Sequence, residues 1–278
     1  MNNRAIGYID SGVGGLTVVK QALNQLPNEQ IYYVGDTARM PYGPRPTAEV
    51  VHFTEQMAAF LVAKKIKLLV VACNTATAAA LPQLQASLSI PVIGVIQPGV
   101  DAAIRATTDG EIGVIATAGT VNSMSYYDAL LAQDQTANIV QLPVPEFVEI
   151  VEKHDYESED ARRAVQTKLR YFEQHQVDTL ILGCTHYPLL EPFIQEAMGN
   201  SVKLINSGAE AVNLVVKTLS GKNLQHDDTV VDRQADRYFT TGAVDQFKNL
   251  GEHWLNLDNL HVEQLTITAN GLAQPGKE

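Results

Sequence analysis

Cysteine is nearly absent from this 278-residue chain: there are two, Cys73 and Cys184, with no C-x-x-C pair and a single histidine close to either. That excludes a disulfide-stapled scaffold and makes a poor zinc set, because structural zinc sites draw on closely spaced ligands. Long apolar runs are missing too, and none approaches the roughly 18 residues of a membrane span. Basic residues are scarce, with 20 Lys and Arg against 31 Asp and Glu and a net charge of −11, which argues against a nucleic-acid partner and leaves no basic patch for a membrane surface. The opening MNNRAIGYIDSG enters a strand-like segment without the charged and apolar regions of a secretory signal, so the expected location is cytoplasmic. In that reducing compartment a pair of thiols is catalytic, metal-binding or inert rather than cross-linked.

What is present is a 45% hydrophobic share with 18% charged residues, enough to build a substantial core in one large domain or two ordinary ones. Short apolar runs alternate with helical periodicity, the pattern of β-α-β units and largely parallel sheets. Strands are predicted at 5–10, 31–36, 68–73, 92–95, 112–117, 139–142, 179–184 and 202–206, and helices at 14–26, 48–64, 76–87, 157–174 and 209–219. After a polar loop over 221–236 come a strand at 237–241, a helix at 245–255 and a strand at 261–265, then a terminal stretch ending AQPGKE that reads as a loose tail. A weak repeat organises the whole. IGYIDSGVGG at Ile6 and IGVIATAGTV at Ile112 are 106 residues apart, and the two cysteines are 111 apart. Two α/β halves would turn the carboxyl ends of their strands, where ligands bind, toward one cleft holding both thiols.

Each cysteine closes an apolar run, in LLVVACNTAT and TLILGCTHYP. A lone buried cysteine is usually a small hydrophobe. Here, polar Asn74-Thr75 and Thr185-His186 follow at strand ends, and a helix start at each would favour the thiolate near neutral pH. His186, two residues from Cys184, can depress that thiol or act as an acid itself. Asp10-Ser11-Gly12-Val13-Gly14-Gly15 joins a strand to a helix and can cradle an anion on its N–H groups, with Asp10 a helix cap, a group that orients a base, or one that holds a substrate ammonium. It lacks the G-K-[ST] of a phosphate loop. Gly35 to Gly43, GDTARMPYG, carries Arg39 and Tyr42 on a turn-rich loop, either a binding loop or a surface turn. Thr117 to Thr120 offers hydroxyls where Asp10 and Ser11 stand in the first half. Glu146, Glu149 and Glu152 read as a solvated helical face.

Together the blocks IGYIDSGVGGLTV, YVGDTARMPYG, VVACNTATAAAL, IGVIATAGT and LILGCTHYPLL resemble the glutamate racemase family of amino-acid racemases, in order and spacing, from about Ile6 to about Ala211. The resemblance implies two facing α/β domains related by a pseudo-twofold axis with the active site in the cleft between them. The corresponding division is 1–95 with 208–266, then 96–207, leaving 267–278 as the tail. It also implies Cys73 and Cys184 as the two acid/base catalysts on opposite faces of the substrate Cα, assisted by Asp10 and His186. Asp10 with Ser11, Tyr42 with Gly43, Asn74 with Thr75, and Thr185 with His186 would hold the substrate, alongside Thr117 and Thr120. Glu152 aligns with a family glutamate, although Glu149 stands where proline is usual. No cofactor or metal is implied; a homodimer supplying D-glutamate for peptidoglycan is. Rival readings are an aspartate or hydantoin racemase of the same fold and a hydrolase with one nucleophilic thiol.

Overall fold

The computed structural model describes residues 2–226 and 233–276; the polar loop predicted over 221–236 therefore lies partly outside the described residues, at 227–232, as do 277–278 of the tail. Among the described residues ten strands form two parallel sheets. β1 (Ile6–Asp10), β2 (Ile31–Gly35), β3 (Leu68–Val71) and β4 (Val92–Gly94) belong to the larger sheet, and β5 (Glu111–Ala116), β6 (Asn138–Pro143), β7 (Thr179–Gly183) and β8 (Lys203–Asn206) make the smaller. β9 (Arg237–Thr240) and β10 (Val262–Gln264) return to the larger sheet, whose order is β10-β9-β2-β1-β3-β4, while the smaller runs β6-β5-β7-β8. β1, β3 and β7 are buried along their whole length, as their uninterrupted apolar runs require of strands covered on both faces.

The repeat suspected from two offsets has a topological counterpart. In each sheet the first strand is flanked on one side by the second and on the other by the third, so β1 corresponds to β5 and β3 to β7. The chain reverses its direction of travel across the sheet between β1 and β3, and again between β5 and β7. Such switch points leave a crevice at the carboxyl ends of the strands, because the following helices peel off to opposite faces. Asp10 ends β1 and Cys73 follows β3; Thr117 follows β5 and Cys184 follows β7. One buried cluster contains side chains of both halves, Tyr8 and Leu16 with Ile115 and Leu182, and the helix Ser207–Gly221 packs against both Leu16–Gln25 and Ile96–Ala106.

The loose tail expected over 267–278 is instead largely ordered. β11 (Thr266–Thr268) and β12 (Gly271–Ala273) form an antiparallel hairpin packed on the helix Thr47–Ala63, with Leu272 against the apolar cluster there. Gly271 takes a φ of 122°, which only glycine adopts without strain. Lys64 donates to Gln274 Oε1, and Gln274 reaches Glu263, so the polar composition that suggested disorder serves as edge hydrogen bonding.

Candidate active site

Between the two switch points lies a cavity of about 490 Å³, a volume suited to a small ligand. The first half lines it with Ser11, Tyr42, Gly43, Cys73, Asn74 and Thr75, and the second with Thr117, Glu152, Cys184, Thr185 and His186. Asp10 and Thr120 stand behind the wall, both fully buried. Residues about a hundred positions apart are thus brought together by sheet topology. Among the described residues no lysine or arginine lines this cavity, so a carboxylate bound in it is held by their N–H and O–H donors.

Cys73 caps the helix Asn74–Ser87: its sulfur accepts from the Ala76 N–H at 3.4 Å and lies 3.6 Å from Ser11 Oγ. That is the helix start expected from the sequence, but its electrostatic consequence is reversed. Burial and the neighbouring Asp10 carboxylate push the thiol up to about 12, outweighing the lowering by Ala76 and Ser11. Two donors cannot replace the water lost by a thiolate that is only 6% exposed. Asp10 is itself raised by burial; its Oδ2 accepts the Gly12 N–H at 3.0 Å, while Oδ1 has no hydrogen-bond partner. Asp10 thereby braces the glycine loop that carries Ser11.

Cys184 departs from expectation differently, for no α-helix begins beside it. The chain passes through His186 into a 3-10 turn at Tyr187–Leu190, and the helix Glu191–Met198 starts only afterwards. Pro188 and Pro192 interrupt the backbone N–H series there. The group facing this sulfur is the His186 ring, with Nδ1 3.8 Å away, and on its far side Nε2 comes within 3.2 Å of Glu152 Oε1 without aligning its N–H on that oxygen. Burial would depress the imidazole, but Cys184 and Glu152 outweigh it and raise the group to about 10. The glutamate segment that read as a solvated face is the helix Glu146–Glu152; Glu149, largely exposed, and Glu152 both line the cavity. A folded pKa above the ordinary 6.5 contributes stability that is complete below about 6.5 and is lost as pH rises through about 10. Urea unfolding midpoints should therefore fall between pH 6.5 and pH 10, and fall less in Glu152→Gln; an equal decline in both proteins would remove the ion pair as the cause.

Hydroxyls from the two halves meet at the cavity floor. Thr75 Oγ1 lies 3.0 Å from Thr117 Oγ1 and 3.2 Å from Thr120 Oγ1, so fully buried Thr120 orders the two threonines that line the wall. A Cβ on Gly119 would stand 2.5 Å from the Gly43 carbonyl, so the halves touch backbone to backbone here. Of the loop residues, Tyr42 reaches the cavity with its hydroxyl on Asp36 Oδ2. Arg39 does not. It pairs with Asp36, donates to Gln56 and lies over the Phe53 ring at 4.1 Å. Met40, Pro41, Pro44 and Val148 add apolar wall. They were not singled out from the sequence, although three adjoin Tyr42 in RMPYGP.

A family model described as Asp/Glu/hydantoin racemase matches residues 6–215, which include both cysteines and every cavity-lining residue. The chain belongs to the Asp/Glu/hydantoin racemase family. It is therefore an isomerase. It is 54% identical over 266 residues to a glutamate racemase of Lactiplantibacillus plantarum, covering 96% of this chain and 97% of that protein. Among solved structures it resembles a glutamate racemase isoform of Bacillus anthracis, with a TM-score of 0.91 and 42% identity over 95% of this chain and 98% of that one. A second, the glutamate racemase of Francisella tularensis in complex with D-glutamate, gives a TM-score of 0.87 and 34% identity over 96% and 98%. The family's shared fold agrees with the paired parallel sheets found here.

Proposed function

We propose that this chain interconverts L- and D-glutamate, using Cys73 and Cys184 as the acid and base on opposite faces of the substrate Cα. The observation that carries the reading is the pair of free thiols, one from each half, at the two switch points of a single cavity. Racemisation removes a proton from one face of Cα and returns one to the other, so a single fixed base tends to restore the starting enantiomer. Two opposed thiols resolve this, provided one starts protonated. Burial beside Asp10 favours the protonated form of Cys73, Cys184 faces the His186 ring, and each sulfur serves as the base for one enantiomer and as the proton donor for the other. When the C–H bond breaks, its proton goes to one sulfur, the electron pair is left on Cα and the α-carboxylate, and the second thiol gives its proton to the opposite face.

The α-hydrogen beside a carboxylate is weakly acidic, and among the described residues no lysine lines the cavity to form a Schiff base. The charge that develops is met by the N–H groups opening the helix Asn74–Ser87 and by the hydroxyls of Thr75, Thr117 and Thr185. Glutamate as the substrate is supported by near-full-length similarity to glutamate racemases and by the D-glutamate held in the Francisella neighbour. The same reading includes a cytoplasmic homodimer that supplies D-glutamate to peptidoglycan.

Proton NMR of L-glutamate with the purified protein in heavy water, without added cofactor, tests this. The expected result is loss of the α-hydrogen signal together with loss of optical rotation. An unchanged spectrum with folded protein overturns the glutamate assignment, and the same assay on L-aspartate separates the related racemases. A trapped acyl-enzyme mass would point to a hydrolase instead.

A further inference from the structure

Asn74 lines the cavity directly after Cys73 and is 3% exposed. Its amide oxygen is engaged from the other half of the molecule, where the Tyr126 hydroxyl donates to Asn74 Oδ1 at 2.7 Å. Tyr126 lies on the helix Ser125–Gln133 and is completely buried. Its ring has little freedom: a Cβ on Gly183 would sit 3.1 Å from Tyr126 Cε2, and one on Gly99 3.6 Å from the hydroxyl. Fixing the oxygen of a planar amide also fixes its nitrogen on the opposite side. Asn74 Nδ2 is buried there with no hydrogen-bond partner, and native proteins rarely leave such a donor unpaired without a use for it.

We propose that Tyr126 is a positioning residue for the racemisation, its hydroxyl locking the Asn74 side chain so that Nδ2 is held as a donor for a substrate carboxylate oxygen. Without that lock the amide turns freely about its last torsion, which is broad and roughly two-fold, and half of its orientations present an oxygen to an anion. An amide nitrogen cannot accept from an ammonium, so this arrangement assigns Asn74 to the carboxylate end of the substrate. In a cavity that no arginine or lysine among the described residues lines, each such neutral donor carries a large share of anion recognition. The inference rests on the racemase reading above.

Its test is a double-mutant cycle of Tyr126→Phe and Asn74→Ala, with KM and kcat for glutamate measured in both directions and the dissociation constant measured by calorimetry. Phe fills the same volume and removes only the hydroxyl. Tyr126→Phe is expected to raise KM and Kd about tenfold, the scale of one hydrogen bond, with kcat within about threefold of the parent. On the Asn74→Ala background the same change is expected to move either constant by less than about twofold. An unchanged KM in Tyr126→Phe overturns the proposal, and so does an equal effect on both backgrounds, which would mean that Tyr126 acts through packing. Were the parent protein to bind glutamate without turning it over, the function assigned above would fall while the Kd cycle still decided the role of Tyr126. A parent that neither binds nor racemises glutamate overturns both.

Discussion

Replacing Cys73 with Ala is expected to abolish racemisation in both directions, by at least about 10³-fold, within the range over which a positioned acid or base acts. One partial reaction should survive. The remaining thiol, Cys184, can still remove the α-hydrogen from the face it meets and return deuterium to that same face, so one pure enantiomer exchanges its α-hydrogen in heavy water without losing optical rotation. The Cys184→Ala protein should show the mirror behaviour, exchanging only the other enantiomer. Proton NMR on pure L- and pure D-glutamate with each variant makes the comparison. Normal racemisation by either variant, or exchange of both enantiomers by one of them, would sink the two-thiol mechanism. The two cysteines are not electrostatically alike: Cys73 is held up by burial and Asp10, whereas Cys184 faces His186. Surviving exchange should accordingly differ in its pH dependence between the two variants.

The second large effect is expected from a methyl group. A Cβ at Gly14 would lie 2.3 Å from Thr185 Oγ1 and 2.5 Å from His186 Cε1. Neither neighbour is a flexible tip. Thr185 and His186 are 7% and 5% exposed, and the Thr185 carbonyl accepts from Thr17 Oγ1 at 2.8 Å across the two halves. Gly14→Ala must therefore move the Cys184-Thr185-His186 segment away from the glycine loop and widen the cavity. Displacing a reacting group by about 1 Å costs on the order of 10²-fold in rate, so kcat/KM should fall by about that factor while the protein stays folded. Activity within threefold of the parent would show that the halves are free to separate here without consequence. The closeness of Gly14 to the second thiol's segment gives this glycine a reason beyond the anion cradle suggested by its motif.

Much of this was legible in the chain. Apolar runs ending at Cys73 and Cys184 located the buried strands and the ends that line the cavity, because a strand covered on both faces must be apolar throughout and a ligand is met where it stops. Matching offsets between the halves anticipated the shared cavity. Other expectations depended on things that no local pattern encodes. That Cys184 would open a helix failed because two prolines delay it past a 3-10 turn. The tail looked loose because three-residue strands give too short a period to read, yet its hairpin finds an apolar seat on the helix Thr47–Ala63.

By itself, then, the sequence determined the two α/β halves, the strand ends that meet at the cavity, and the pair of thiols placed there, since periodicity and composition act between near neighbours along the chain. Only the tertiary structure decided how those groups behave. Whether Cys73 is an acid or a ready thiolate depends on how much water it loses and on Asp10, 63 residues away. Whether Asn74 offers a donor or an acceptor depends on Tyr126, 52 residues away. Desolvation and hydrogen-bond direction are properties of packed space, and they arise only when the two halves close on one another.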